Sequence, residues 1–190
     1  MKLDDAIKQR RSIRRFSEKK VKWADVLEAI DAALQAPFAG NINNLKFIIV
    51  QDQSRKNKLV EYTQQDWIAD AQYIIVVCAD YSQLEKMYDE RAEIYARQHA
   101  GAAIQNFLLK ITDLGLASCW IGAYTEEYIK KELKIPNDIK IEAVLPIGYV
   151  YRGTDFKVKI PKKASLEKCI NWEVWGKREK PTGITDSRAW

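Results

Sequence analysis

The residues best suited to chemistry in this chain lie near its start, in Gln9-Arg10-Arg11-Ser12-Ile13-Arg14-Arg15-Phe16. Arg10, Arg11, Arg14 and Arg15 bring four guanidinium groups and Ser12 a hydroxyl, directly after a short amphipathic segment. A guanidinium is a planar fork of donors that matches phosphate oxygens, and a Ser hydroxyl adds a short donor beside backbone N–H groups. Such a cluster at a helix end suits one compact dianion. On the octet alone two other readings stay open, a solvated basic turn and a patch for nucleic acid.

Three further stretches carry candidate groups. Pro37-Phe38-Ala39-Gly40-Asn41-Ile42-Asn43-Asn44 is a loop by composition, with one Gly and three Asn. A single Gly makes no phosphate cradle, but side-chain amides donate and accept at once, as the edge of a flat heterocycle requires; a plain Asx-rich turn is the other reading. Gly122, within Ala117–Tyr124, would let a ligand approach backbone N–H and C=O groups, or simply mark a bend. Lys162 and Lys163 form a second basic cluster that could close on the same phosphate as Arg10–Arg14. His99, the one histidine, is read as a packed or surface residue rather than a catalytic one.

What is missing narrows the chemistry. There is no nucleophile–base pair, no carboxylate cluster and no metal constellation, since Cys78, Cys119 and Cys169 are scattered and only one His accompanies them. A bound cofactor would have to supply any difficult step. Lys plus Arg is 31 against 26 Asp plus Glu, a net charge of +5 that favours anionic ligands without demanding nucleic acid. With 47% hydrophobic and 30% charged residues the 190-residue chain has ordinary globular composition. Odd, unpaired cysteines and the lack of a long apolar run point to a cytoplasmic protein outside the membrane.

The elements that must position these groups follow from periodicity and punctuation. Helices are expected from Leu3 to the arginines, over Trp23–Ala36 until Pro37, and from a Ser54 cap to about Gln64. Another runs over Leu84–Leu114, broken near Asp89 and ended by Gly115, and the last follows a Thr125 cap over Glu126–Leu133. Strands are expected at Lys46–Val50, at Gln72–Ala79 (apolar on consecutive positions, hence covered on both faces), at Ala117–Tyr124 broken by Gly122, and at Ile139–Val150, where Pro146 marks an edge or a bulge. Ala96–Leu109, rich in small residues, reads as a buried central helix or a dimer contact. The whole reads as one domain over residues 1–176 with a polar tail, 177–190.

Taken together the stretches resemble the nitroreductase-like flavoproteins. The resemblance rests on Arg10–Phe16, Ala36–Asn43, the run from Gln105-Asn106 through Gly115–Gly122, and Leu145-Pro146-Ile147-Gly148-Tyr149, in the family's order and approximate spacing. It implies an α+β fold with a central, mostly antiparallel sheet flanked by helices, and a homodimer with FMN at each of two subunit interfaces. By it, Arg10, Arg11, Ser12 and Arg14, with Lys162 or Lys163, hold the phosphate and ribityl chain. Pro37, Phe38, Ala39, Asn41 and Asn43 come from the partner subunit against the ring, and Ile121 and Gly122 lie beside its N5 edge. The sequence departs from the family pattern at Phe38, where a small Ser is usual, at Asn43, where Gln is usual, and at Leu45, where an aromatic often follows. The activity implied is an NADH- or NADPH-driven reduction of nitroaromatics, quinones or related acceptors. The absence of a GxGxxG motif agrees, because such a donor needs no Rossmann site of its own. Two alternatives are a specialised reductive enzyme of the dehalogenase kind and, in another class, a basic nucleic-acid-binding module.

Overall fold

Seven consecutive buried residues, Tyr73–Ala79, form the strand on which the sheet is built. Val, Ile, Tyr and Cys on both faces of one strand require cover above and below. In the computed structural model, residues 1–153, 158 and 164–179 are described. In chain order the elements are α1 (Leu3–Gln9), β1 (Phe16–Ser17), α2 (Trp23–Leu34), β2 (Leu45–Val50), α3 (Gln53–Thr63), β3 (Tyr73–Ala79), α4 (Ser82–Tyr88), α5 (Ala92–Asp113), β4 (Ala117–Ser118), α6 (Glu126–Leu133), β5 (Lys140–Val150) and α7 (Leu166–Cys169).

The sheet has the order β1-β5-β3-β2, with β4 also paired to β5, and each of these pairings is antiparallel. Helices cover both faces. Val26, Ala29 and Ala33 of α2 and the Ala96–Ile111 side of α5 pack on Ile75, Val77, Ala143, Leu145 and Ile147. Leu59 of α3 and Ile129 of α6 pack on the other face, against Ile74, Val76 and Val144. This is the α+β architecture the sequence implied.

Local chemistry explains most boundaries, and corrects some expectations. α5 ends in a Schellman motif: Gly115, at φ +72°, bonds back to Thr112, and the Leu116 N–H reaches Ile111 O at 2.9 Å. The break before α5 falls at Asp89, whose φ is +44°. α3 is capped by Asp52, which accepts the Arg55 N–H at 2.9 Å, and not by Ser54. Asp52 lies two residues earlier and is as good a cap by residue type, and its side chain is the one that reaches the free N–H of the first turn. Thr125 sits at the cap position of α6 but makes no side-chain bond there; instead Glu126 accepts from the Ile141 N–H and pairs with Lys130 at 2.8 Å.

One strand reading changes and another is narrowed. Ala117–Tyr124 yields only β4, at Ala117–Ser118, and then one bridge, Ile121 to Val144. Pro146 marks a local edge and not a bulge: it lies inside β5 in register with Ile74, and β4 on its other side ends at Ser118. Val144 donates its N–H to Ile121 O at 3.1 Å, and Pro146 shares its parity. The missing donor therefore falls where the chain between Ser118 and Ile121 leaves the sheet, and no ladder bond is lost. The register shift lies between Val77 and Cys78 instead.

The chain divides into two units, Met1–Val158 and Lys159–Trp190. Within the described part of the second, α7 is followed by a turn in which Gly176 donates to Asn171 Oδ1 at 3.0 Å and Lys177 pairs with Glu173. Lys162 and Lys163 lie outside the described residues.

Candidate functional site

The basic octet is anchored through its apolar members. Ile13 and Phe16 are buried with Ala71 and Ala117 in a small core of their own. Phe16 lies over Gly148 of β5, where an added Cβ would come within 2.7 Å of the ring. The backbone is fastened as well: Ser12 bridges Ser118 in parallel, and the Ile13 N–H donates to Ser118 O at 3.0 Å. Buried Ile13 alternates with exposed Ser12 and Arg14, so anchoring the one presents the others.

Arg10, Ser12 and Arg14 cluster around Cys119. Burial pushes the Cys119 thiol up, while the Arg14 charge, the Ser12 hydroxyl and the Arg10 charge pull it the other way. Among the described residues neither Arg10 nor Arg14 is in an ion pair. The neighbouring Ser118 hydroxyl is buried without a hydrogen-bond partner. Arg11 and Arg15 behave differently. Arg11 folds back to donate to Arg10 O at 2.7 Å, and Arg15 stacks over the Tyr151 ring at 4.0 Å.

Four residues beyond Ser118, the chain reaches Gly122. Ile121 is buried and tied to Val144 in both directions. Gly122 is exposed, a Cβ there would meet nothing within 4 Å, and among the described residues its N–H has no acceptor. It opens on a cleft of about 670 Å³ that also takes in Trp120, Tyr81, Arg97 and Glu142. Tyr81 donates to Glu142 Oε1 at 2.6 Å, and Arg97 pairs with Glu93 at 2.5 Å. Burial and then the Glu142 carboxylate hold the Tyr81 hydroxyl above its ordinary range.

The Pro37–Asn43 loop forms a separate cluster. Its turn, Ala39–Asn41, runs through Gly40 at φ +59° and Asn41 at φ +56°. A Cβ on Gly40 would stand 2.8 Å from the Tyr88 hydroxyl, so this turn has room only for Gly. Pro37, Asn41 and Asn43 are exposed, with Asn43 Oδ1 accepting from the Leu45 N–H at 3.1 Å. Phe38 is half-buried, edge-on to His99. Among the described residues no hydrogen bond, ion pair or ring contact joins this loop to Arg10–Phe16. The site residues thus fall into two groups, Arg10, Arg11, Ser12 and Arg14 with Ile121 and Gly122, and the loop on its own.

Sequence reasoning missed two parts of this arrangement. One is the Tyr81–Glu142–Arg97 wall of the cleft, assembled from three elements. The other is the pair behind the loop, His99 and Asn44: His99 is packed, as expected, but it is also bonded to both Ala39 and Asn44. The signal that could have found it was a polar residue on the small-residue face of α5. Among the described residues no group of His, Cys, Asp and Glu could hold a metal ion, and no helix is long and apolar enough to cross a membrane.

This geometry can hold a dianion at Arg10, Ser12 and Arg14 and present an open N–H to whatever extends from it. Several known proteins are similar to this chain in sequence and structure. A provisionally named NADH dehydrogenase/NAD(P)H nitroreductase of Archaeoglobus fulgidus is 35% identical over 152 residues, covering 77% of this chain and 84% of its own. An FMN reductase [NAD(P)H] of Bacillus subtilis is 28% identical over 169 residues, 81% of this chain and 68% of its own. The crystal structure of a nitroreductase family protein from Clostridium novyi NT superposes with a TM-score of 0.72 at 28% identity, covering 79% of this chain and 87% of that one. The model of the Nitroreductase family matches residues 7–67 and 59–149, so the donor row, the loop and the Gly122 turn are those of a chain that belongs to the nitroreductase family.

Proposed function

We propose that the protein is an FMN-dependent NAD(P)H oxidoreductase reducing nitroaromatic, quinone or related acceptors, and that it works as a cytoplasmic homodimer with a flavin at each of two subunit interfaces. One observation carries the reading: the row Arg10, Ser12, Arg14, fixed by Ser118 and leading within four residues to the open Gly122 N–H. Four extended residues span at most about 14 Å, so phosphate donors and a ring-facing donor share one small surface.

The residues present fit the group. Two guanidiniums and the Ser118 Oγ, without partners among the described residues, and the exposed Ser12 hydroxyl are the donors a phosphate ester needs. FMN, when bound, supplies two-electron transfer from NAD(P)H to the acceptor, the donor leaving before the acceptor enters. Arg10, Arg11 and Ser12 would hold the phosphate and ribityl chain. Arg14 directs positive charge toward the ring and favours negative charge there. The Gly122 N–H orients the N5 edge, and buried Ile121 keeps water from that side. Pro37, Phe38, Ala39, Asn41 and Asn43 face the ring of the partner subunit. Leu3 and Ile7 on α1 and Trp23 and Leu27 on α2 are large apolar side chains left exposed, which supports pairing with a second copy. The cleft beside Gly122 receives the nicotinamide and then the acceptor.

The test is direct. Purified protein should be yellow, with flavin absorbance released as FMN on denaturation, and should oxidise NADH or NADPH with a nitroaromatic or a quinone. Arg10→Ala with Ser12→Ala should weaken FMN retention by about 1.5–3 kcal/mol for each charge-assisted bond removed. A colourless protein that cannot be reconstituted with FMN would end this reading.

A further inference from the structure

Ala39, the first residue of the loop's turn, donates its N–H to His99 Nε2 at 2.7 Å. His99 Nδ1 lies 2.9 Å from Asn44 Oδ1. A neutral imidazole has one acceptor nitrogen and one N–H. A backbone N–H can only donate, so Nε2 is the acceptor, the proton sits on Nδ1, and Asn44 must present its oxygen. The Asn44 side-chain NH₂ is then the uncommitted end of the chain of bonds, and it is buried without a partner. The Phe38 ring meets the same imidazole edge-on, centroids 5.1 Å apart. Two consecutive loop residues therefore converge on one ring carried by α5.

The turn needs such an anchor. Gly40 and Asn41 stand in the left-handed region at φ +59° and +56°; glycine adopts it freely, but Asn41 keeps it only where the surroundings hold it. We propose that His99 is a positioning residue: its Nε2 sets Ala39–Asn41 in the conformation that faces the flavin ring, and Asn44 fixes the tautomer that makes this possible. What the loop faces rests on the flavin reading above; how it is held does not. If His99 were only filling volume, any side chain of similar size would serve. If it positions the loop, an acceptor is required where Nε2 stands.

Two substitutions separate these. His99→Gln puts an amide oxygen near the Nε2 position and keeps an N–H for Asn44; His99→Leu fills the volume with no acceptor. The readouts are hydrogen exchange at the Ala39 amide and the FMN dissociation constant from flavin fluorescence. The Gln variant should stay close to wild type. The Leu variant should exchange the Ala39 amide about tenfold faster and bind FMN about five- to tenfold more weakly, the scale of one lost hydrogen bond. Equal Ala39 exchange in the two variants would overturn the proposal. The wild-type imidazole gives an independent measure that needs no variant to fold: ¹⁵N spectra should show Nδ1 protonated and Nε2 bare, and the opposite tautomer would also overturn it. A wild-type chain with this tautomer and exchange pattern that takes up no FMN would sink the flavin reading and leave the attachment of the loop to His99 standing.

Discussion

The Arg10–Phe16 segment and the Pro37–Asn44 loop handle their polar groups in opposite ways. The first is held by apolar burial and backbone bonds, Ile13 and Phe16 below and Ser118 beside, so Arg10, Ser12 and Arg14 stay available to a ligand. The second is held through polar groups from behind, Ala39 on His99 and His99 on Asn44, while Asn41 and Asn43 stay exposed. A charged ligand demands the first design, because guanidiniums spent on internal carboxylates could not also meet a phosphate. A flat ring demands the second, where the exact shape of a short turn matters more than its charge.

Perturbations should part the two regions in a definite order. Phe16→Ala, which removes a ring only 5% exposed, should cost about 3–5 kcal/mol in urea unfolding and release the arginine row with it. Arg10→Ala should leave unfolding unchanged and cost about 1.5–3 kcal/mol of FMN binding in a fluorescence titration. Loss of stability without loss of affinity would refute the division of labour. Asp52→Ala, at the α3 cap and belonging to neither region, should lower stability by about 1 kcal/mol with flavin affinity intact.

The smallest effect is in the acid limb of stability. Burial holds the His99 imidazole below its ordinary value of 6.5. Above that pH both folded and unfolded chains carry it neutral, and its contribution is fully present. As pH falls below 6.5 the unfolded chain binds the proton first, so stability is lost until the lowered folded value is passed. His99→Gln should remove this part of the slope, at most one proton's worth, in denaturation midpoints taken across the acid range. An unchanged slope would mean that the imidazole is not held neutral by the fold.

Much of this was legible in the chain because it is local. The apolar run within Gln72–Ala79 announced a doubly covered strand and Gly115 a helix stop, whereas the burial of Ile13 between exposed Ser12 and Arg14 emerged only from the fold. Family spacing singled out Gly122, which follows four residues after the Ser118 that holds Ser12. What stayed hidden depends on contacts far apart in sequence. His99 and Asn44 are 55 positions apart, and nothing in either neighbourhood says that a tautomer links them. Tyr81 and Glu142 meet only because β3 and β5 pair. Pro146 left edge and bulge open because the choice depends on which side its nitrogen faces, and that is fixed by where the chain leaves the sheet after Ser118. Ser54 misled because Asp52, two residues earlier, is an equally valid cap by sequence.

Gly148 and Phe16 carry a consequence for how this chain can drift. The bare hydrogen of one makes space for the ring of the other, so neither position is free to change size alone. Relatives that replace the glycine with a larger residue should show a smaller side chain at the aromatic position, and the two substitutions should travel together through the lineage.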